Sequence, residues 1–162
     1  MKNVTVGIIM GSKSDLPIME KAAEVLTELG VSFDISILSA HRTPHEAAEW
    51  AETAIDRGMK VVLAGAGGAA HLPGVMAAFT TLPVIGVPVN SSISVDGWDS
   101  LLSIAQMPPG VPVATVGIDA ARNAGILAAQ IVGTSDFGIA DNLVQFKEKM
   151  KQKILKDNES VQ

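Results

Sequence analysis

The stretch VTVGIIMGSKSDLPIMEKAAEVLTELG (residues 4–30) decides the fold of this chain. Its first part, Val4–Met10, is a short apolar run rich in β-branched residues, which is typical of a buried strand. After the turn residues Gly11–Ser14, apolar residues recur at helical spacing over Asp15–Leu29, and Gly30 is a typical helix stop. A buried strand followed by an amphipathic helix is the repeating unit of α/β proteins with parallel sheets.

The same unit recurs along the rest of the chain. The sequence predicts further strands over residues 31–38, 60–64, 83–87 and 112–116, and further helices over residues 43–56, 72–79, 96–106 and 120–132. The helix over residues 43–56 begins with a capping-box pattern, in which Thr43 is the N-cap, Pro44 is the first position and Glu46 closes the box. We therefore predict a three-layer α/β/α fold, a doubly wound parallel sheet of about five strands with the flavodoxin-like strand order.

The C-terminal segment follows a different pattern. Asp141–Gln162 contains five of the 12 Lys and Arg residues of the chain. Apolar residues recur in it at helical spacing, at Leu143, Phe146, Met150 and Ile154. We predict a single α/β domain over residues 1–140 and an amphipathic C-terminal helix over residues 141–162. The apolar stripe packs either on its own domain or on a neighbouring subunit, and the sequence leaves both open.

Composition excludes several classes of protein. A net charge of −5 and only four Phe, two Trp and no Tyr in 162 residues argue against nucleic-acid binding. The chain contains no Cys, so disulfides, thiol nucleophiles and Cys-ligated metals are excluded. No charged residue occurs over residues 61–95, but repeated Gly and Pro prevent a membrane-spanning helix there. The N-terminus lacks the pattern of a secretory signal, and we expect a soluble cytoplasmic protein.

Ligands bind at the carboxyl ends of the strands in open parallel sheets. Three of the predicted strand ends carry polar or glycine-rich sequence, and the first has Ser12, Lys13, Ser14 and Asp15 immediately before a helix. Backbone N–H groups at such a turn suit an anion such as phosphate. Ordinary N-capping of the helix by Ser14 or Asp15 is the alternative.

The second strand is followed by SAHRT (residues 39–43). In this loop the His41 imidazole, a group that exchanges protons near neutral pH, lies beside the fixed positive charge of Arg42 and two hydroxyl groups. Arginine binds phosphate or carboxylate groups through two parallel hydrogen bonds. We therefore interpret this loop as functional, with acid–base and anion-binding chemistry combined.

The third strand is followed by AGAGGAAH (residues 64–71). The spacing of Gly65, Gly67 and Ala70 matches a relaxed dinucleotide-binding pattern, but the motif follows the third strand and no acid lies about 20 residues further on, so we reject that reading. Small side chains instead suit a loop whose backbone approaches a ligand closely. His71 is either a second titrating group or a cap for the next helix. A metal site is not expected, because the three His residues have no clustered carboxylates.

Five longer motifs follow one another along the chain. They are MGSKSD (residues 10–15), SAHRTP (39–44), AGAGGAAHLPG (64–74), PVIGVPV (83–89) and SLLSIAQMP (100–108). With these motifs the chain resembles the N5-carboxyaminoimidazole ribonucleotide mutase family over residues 4–133. That family is also described as the catalytic subunit of phosphoribosylaminoimidazole carboxylase. The Arg that follows His41 resembles the mutase form, since the related carboxylases that use CO2 directly have a Lys there.

The resemblance implies conversion of N5-carboxyaminoimidazole ribonucleotide to 4-carboxy-5-aminoimidazole ribonucleotide in de novo purine biosynthesis, without metal, nucleotide cofactor or biotin. It implies that His41 is the catalytic acid/base and that Arg42 grips the substrate phosphate. The other substrate-binding residues that it implies are Ser12, Asp15, Ser39, Gly67, Gly68, Ala69, Ala70 and His71. The chain departs from many family members at Leu16, at Asn90 and in residues 118–123, a segment about two residues shorter than usual.

Assembly and two alternative functions complete the predictions. No Lys or Arg occurs over residues 61–121, and an uncharged surface of that extent is typical of an interface. The resemblance specifies a homo-octamer, with a functional link to the ATP-dependent synthetase that acts before it. The alternatives are a carboxylase of the same fold that uses CO2 directly, and a non-catalytic nucleotide-binding module.

Overall fold

Residues 4–161, which the computed structural model describes, contain one parallel sheet and helices that connect its strands. The strands are β1 (Val6–Met10), β2 (Phe33–Ile37), β3 (Val61–Gly67), β4 (Val84–Val89) and β5 (Ala114–Thr115). The α-helices are α1 (Leu16–Glu28), α2 (Pro44–Glu52), α3 (Leu72–Phe79), α4 (Trp98–Ala105), α5 (Ala121–Gly133) and α6 (Phe137–Glu159). A single 3-10 turn, Lys13–Asp15, precedes α1.

The strand order in the sheet is β2-β1-β3-β4-β5, and every pairing is parallel. The predicted doubly wound, flavodoxin-like sheet is thereby confirmed. The chain reverses its winding direction between β1 and β3, where Met10 lies opposite Gly65. Such a reversal opens a crevice at the carboxyl ends of the two strands. The loops that follow β1, β2 and β3 therefore converge at one edge of the sheet.

Apolar layers cover both faces of the sheet. On one face, α1 packs against β1 and α5 packs against β3 and β4, through residues such as Leu26 and Ala128 beside the fully buried Ile8. On the other face, α2 and α3 pack through Trp50 and Met76 against further fully buried strand residues. Burial on both faces explains why β1, β3 and β4 are continuous apolar runs, whereas the edge strand β2 alternates polar and apolar residues.

The predicted capping box of α2 is wrong. Thr43 lies at the N-cap of α2 but makes no side-chain capping bond. Its hydroxyl instead turns back along the chain, accepting a hydrogen bond from Ser39 N at 2.8 Å and donating to Ser39 O at 3.1 Å. The helix also ends at Glu52, four residues before the predicted end, and turns carry the chain from there to β3. Thr43 thus stabilises the loop that precedes the helix.

Strand β3 is longer than the sequence indicated. It continues beyond Ala64 to Gly67, because Ala66 and Gly67 pair with Pro88 and Val89 of β4. The glycine-rich segment after Ala64 was predicted to be loop, since glycine weakens strands in general. Here the ladder with β4 outweighs that preference and carries the backbone up to the edge of the crevice.

The C-terminal helix α6 begins at Phe137, capped by the Asp136 carboxylate, which accepts from Ile139 N at 3.1 Å. Its first half packs on its own domain, where Ile139 and Phe146 are buried. Its second half leaves Met150 47% and Ile154 66% exposed. The first half of the helix therefore packs on its own domain, and packing of the second half on a neighbouring subunit stays a prediction. Over residues 4–161, no helix has the length and apolar character needed to cross a bilayer.

Candidate active site

Four loops surround a cavity of about 410 Å³ at the carboxyl edge of the sheet. The loop after β1 contributes Gly11, Ser12, Ser14 and Asp15, and the loop after β2 contributes Ser39, Ala40, His41 and Arg42. The end of β3 and the start of α3 contribute Ala66, Gly67, Ala70, His71 and Leu72, and the segment after β4 contributes Ser91, Ser92 and Ile93. A cavity of this size is typical of a small-molecule site.

Most of the residues predicted from the sequence line this cavity. Those that do are Ser12, Asp15, Ser39, His41, Arg42, Gly67, Ala70 and His71. Gly68 and Ala69 are not among the lining residues. Their backbone groups bind serine hydroxyls of the β4–α4 region, since Gly68 N donates to Ser94 Oγ at 3.0 Å and Ala69 O accepts from Ser103 Oγ.

Two histidines face each other across the cavity. His41 Nε2 lies 2.7 Å from His71 Nδ1, and the rings meet edge to face at an interplanar angle of 85°. One nitrogen of this hydrogen bond must donate and the other must accept, so the pair shares a single proton along the bond. His71 lies at the N-cap of α3 without a side-chain capping bond, so the helix-cap alternative is wrong. The pair can give up and take back a proton within one site.

Arg42 connects two of the loops. Its Nη2 donates to Gly11 O at 2.8 Å, and its Nε donates to Ser39 Oγ at 3.4 Å. The guanidinium lies at the cavity wall with further N–H groups that these bonds do not use. It therefore places a fixed positive charge beside the β1 loop, where an anionic group of a ligand would bind.

Ser39 organises the loop that carries both His41 and Arg42. Its Oγ accepts from His41 N at 3.4 Å and from Arg42 N at 3.2 Å. A serine hydroxyl that accepts from backbone N–H groups two and three residues later forms a compact turn of its own. The loop after β2 is therefore held by its own side chains.

Asp15 is a buried carboxyl group at the cavity wall, with only 5% of the residue exposed. Burial raises the pKa of Asp15 above its usual value, while hydrogen bonds from Ser14 and Ser12 and the charge of Arg42 oppose that shift. Capping of the following helical turn falls to Ser12, whose Oγ accepts from Ser14 N at 3.3 Å. The predicted capping by Ser14 or Asp15 is wrong, since Asp15 at the N-cap of α1 makes no capping bond.

The loop after β3 has a backbone that only small residues permit. A Cβ atom on Gly67 would lie 2.5 Å from Ser91 Oγ and 2.7 Å from Ser91 Cβ. Gly68 has φ +61°, and Ala70 has φ +47° although it is not a glycine. The structure shows a close approach of Ser91 to Gly67. The close approach of this backbone to a ligand stays a prediction.

Three cavity-lining residues after β4 were not predicted from the sequence: Ser91, Ser92 and Ile93. The signal was present, because the polar residues Asn90, Ser91 and Ser92 lie just beyond the fourth predicted strand, residues 83–87. The rule that ligands bind at the carboxyl ends of parallel strands applies to that strand as well. The Asp119 carboxylate fixes the start of the segment by accepting from Asn90 N at 2.9 Å.

Together the fold and the cavity define a class of protein. A flavodoxin-like domain with a histidine pair, an arginine and a buried carboxyl group at its switch point is built to bind a small anionic ligand and move protons on it. The family model described as AIR carboxylase matches residues 5–153, and the chain belongs to that family.

Curated relatives agree with this assignment. N5-carboxyaminoimidazole ribonucleotide mutase of Thermotoga maritima is 59% identical over 150 residues, which cover 93% of this chain and 87% of the relative. The mutase of Vibrio vulnificus is 56% identical over 152 residues, covering 93% and 94%. Phosphoribosylaminoimidazole carboxylase of Saccharomyces cerevisiae is 55% identical over 150 residues, which cover 93% of this chain but only 26% of that longer protein.

Solved structures agree as well. A PurE2 variant from Treponema denticola superimposes with a TM-score of 0.87 at 31% identity, covering 99% of both chains. Treponema denticola PurE superimposes with a TM-score of 0.81 at 31% identity, covering 98% of both chains. The resemblance inferred from the five motifs is confirmed.

Proposed function

We propose that this protein is an isomerase that converts N5-carboxyaminoimidazole ribonucleotide to 4-carboxy-5-aminoimidazole ribonucleotide in purine biosynthesis. The observation that carries the proposal is the histidine pair, 2.7 Å apart at the wall of a 410 Å³ cavity, in a chain 59% identical to a mutase. The reaction moves a carboxyl group from a nitrogen to a carbon of one molecule. It involves no net oxidation and no condensation, so the chemistry requires neither a redox cofactor nor ATP.

The substrate phosphate binds beside Arg42 in this proposal. Arg42 Nη2 already bonds to Gly11 O, so the guanidinium faces the turn that carries Ser12 and Ser14. Charge-assisted hydrogen bonds from Arg, together with hydroxyl donors, suit a phosphate group. Binding at this corner leaves the imidazole ring of the substrate to extend toward His41 and His71.

His41 handles the two proton transfers. It first protonates the exocyclic nitrogen of the carbamate, and the N–C bond breaks to release CO2 and aminoimidazole ribonucleotide. The electron-rich ring carbon C4 then attacks the retained CO2 and forms a C–C bond. His41 takes up the C4 proton, which returns it to its starting state and balances the reaction.

Retention of CO2 between the two steps depends on the β3 loop. Ala66, Gly67 and Ala70 line the cavity with small side chains, so a small neutral molecule can lie close to the backbone. Holding CO2 against C4 makes the second step effectively unimolecular. This confinement replaces an external energy source.

Substitution of the acid/base tests the proposal. The variant His41→Asn should lose turnover of the N-carboxylated ribonucleotide by ~10²–10⁴-fold while it still binds the ribonucleotide. His45→Asn is a matched control, because His45 is an exposed histidine on the same segment that does not line the cavity. Formation of the C4-carboxylated product is followed without ATP. Near-normal turnover by His41→Asn would move the acid/base assignment to His71.

A direct carboxylase is the second candidate, since the yeast relative carries that name. Supplying aminoimidazole ribonucleotide with bicarbonate, and separately the N-carboxylated ribonucleotide, distinguishes the two activities. If the product forms faster from aminoimidazole ribonucleotide and bicarbonate than from the N-carboxylated ribonucleotide, the protein is a direct carboxylase and the mutase proposal is wrong. Intact ribonucleotide binding without turnover of either substrate would instead indicate a non-catalytic nucleotide-binding module.

We also propose that the protein acts in the cytoplasm as a homo-octamer, next to the synthetase that makes its substrate. Exposed apolar side chains support assembly, among them Trp98 at 60%, Leu102 at 54% and Ile154 at 66% exposure. Light scattering at micromolar concentration should give eight times 16.8 kDa. A mass of 16.8 kDa would overturn the proposal.

Truncation of the C-terminus tests whether the oligomer depends on the second half of α6. A chain ending at Lys147 keeps the buried Ile139 and Phe146 but loses the exposed second half of the helix. We expect it to fold and to lose oligomeric mass. A truncated chain with unchanged mass and activity would show that the second half of α6 is dispensable.

A further inference from the structure

Three serines that follow β4 bind the backbone of the loop that leads to His71. Ser94 Oγ accepts from Gly68 N at 3.0 Å, and Ser100 Oγ lies 3.4 Å from Gly68 O. Ser103 Oγ donates to Ala69 O. We call Ser94, Ser100 and Ser103 the loop-binding serines. Gly68 and Ala69 were predicted to contact substrate, yet their polar groups are directed to these hydroxyls.

The loop needs such support because its backbone is strained. Just after β3 ends at Gly67, Gly68 has φ +61° and Ala70 has φ +47°. A left-handed conformation at a residue other than glycine costs on the order of 1 kcal/mol or more, and it persists only where the surroundings enforce it. Within the loop itself, the turn bond from Ala70 N to Gly67 O at 3.1 Å is the backbone contact that opposes opening.

The hydroxyls of Ser91, Ser94 and Ser100 form a connected network anchored in the protein interior. Ser100 is fully buried, and its one hydroxyl hydrogen is directed between two carbonyl oxygens, Val89 O at 3.1 Å and Gly68 O at 3.4 Å. Ser94 Oγ lies 3.3 Å from Ser100 Oγ, and it also accepts from Ser91 N at 3.2 Å. Ser94 thus binds the β3 loop and the cavity-lining Ser91 at once. A hydrogen-bond network tied to a fully buried hydroxyl holds its members in one arrangement.

We propose that the loop-binding serines are positioning residues for the histidine pair. None of the three lines the cavity. They fix Gly68 and Ala69, and so set the position of His71, two residues beyond Ala69. His71 Nδ1 in turn holds His41 Nε2 at 2.7 Å. Loosening the loop lengthens or breaks this contact, and His41 then delivers its proton from the wrong position. The inference deepens the proposed function and rests on it for its kinetic consequence.

The test uses full-length Ser94→Ala and Ser103→Ala, with Ser94→Thr as the conservative variant that keeps a hydroxyl. Each Ala variant should lower kcat roughly 3- to 10-fold, the size of one neutral hydrogen bond, with KM within about twofold because the phosphate contacts at Arg42 remain. Ser94→Thr should restore kcat. Ser36→Ala is the matched control, since Ser36 Oγ accepts from Trp50 Nε1 at 3.0 Å away from the cavity.

Two measurements need no substrate, and they separate this inference from the proposed function. In Ser94→Ala the Gly68 amide should exchange hydrogen at least tenfold faster, and the ring-nitrogen NMR signals of His41 and His71 should shift; neither should change in Ser36→Ala. Both changes without any measurable turnover in the parent protein would support the loop anchoring and overturn the mutase assignment. Unchanged Gly68 exchange and ring signals in both Ala variants would overturn the inference, whatever the activity. If Ser94→Ala does not fold, Ser103→Ala decides alone.

Discussion

The loops after β2 and β3 carry the two histidines of one hydrogen bond, but they are held in opposite ways. The β2 loop holds itself, since Ser39 Oγ accepts from backbone N–H groups of residues two and three positions later. Apart from His71, the β3 loop has small side chains without polar atoms, and hydroxyls at Ser94, Ser100 and Ser103 bind its backbone from 26 to 34 residues away. The difference teaches that one half of this site is encoded locally and the other half by tertiary structure.

The largest effect should come from removing the positive charge of Arg42 from the β2 loop. Arg42→Ala loses a charge-assisted contact that contributes about 1.5–3 kcal/mol, so ribonucleotide affinity should fall roughly 10- to 150-fold. Affinity for the nucleoside without phosphate should change little, as measured by calorimetric titration of both ligands. Equal weakening of the two ligands would show that Arg42 acts on loop structure through Gly11 O.

The next largest effect should come from adding a side-chain atom to Gly67 in the β3 loop, which is held by other segments. In Gly67→Ala the new Cβ meets Ser91 Oγ at 2.5 Å and Val89 O at 3.1 Å, both outside the loop. Overpacking of this kind costs about 1–3 kcal/mol, and kcat should fall because the neighbouring Ala70 and His71 move. Thermal unfolding and turnover check the two effects. A variant as stable and as active as the parent would show that Ser91 yields without cost.

A smaller effect should follow from removing the hydrogen bonds that Ser39 makes within the β2 loop. Ser39→Ala removes the acceptor for His41 N and Arg42 N, contacts of the kind that contribute about 0.5–1.5 kcal/mol. Both kcat and KM should worsen, because the loop carries the acid/base and the phosphate ligand together. In this respect Ser39→Ala should differ from Ser94→Ala, where kcat alone is expected to change. Steady-state kinetics of the two variants side by side make the comparison; identical patterns would contradict it.

The smallest expected effect concerns Asp15 and pH. Burial raises the pKa of Asp15 in the folded protein, so the folded state holds its proton more tightly than the unfolded chain, and stability falls as pH rises through the raised pKa. Asp15→Asn lacks this penalty and should unfold at higher urea concentration than the parent at pH 7. The advantage should shrink as the pH is lowered to about 3, below the usual pKa of Asp, where the parent carboxyl becomes mostly protonated in both states. A variant less stable than the parent at both pH values would show that the carboxylate stabilises the fold.

The sequence predicted those parts of the fold and the site that depend on near neighbours. The strand order followed from alternating apolar runs, and the β2 loop followed from the adjacent His41, Arg42 and Ser39. The Thr43 capping box failed because the hydroxyl found a partner at Ser39, a competition that a pattern of residue types does not resolve. Substrate contact by Gly68 and Ala69 came from the resemblance and stays a prediction. Their hydrogen bonds to serines of the β4–α4 region were not predicted, because only the folded chain brings those serines against them.

The different anchoring of the two loops determines how the site could be moved to another scaffold. Residues 39–43 can be transferred to the same position after the second strand of a different flavodoxin-like sheet, because most of their hydrogen bonds lie within the segment. The first loop of the new sheet must then supply a carbonyl for Arg42, as Gly11 O does here. Residues 67–71 cannot be transferred alone, because the serines that bind their backbone lie later in the chain. The shortest segment that can be transferred runs from β3 through Ser103. A graft of both histidines without that segment would reproduce the amino acids of the site and lose its histidine–histidine contact.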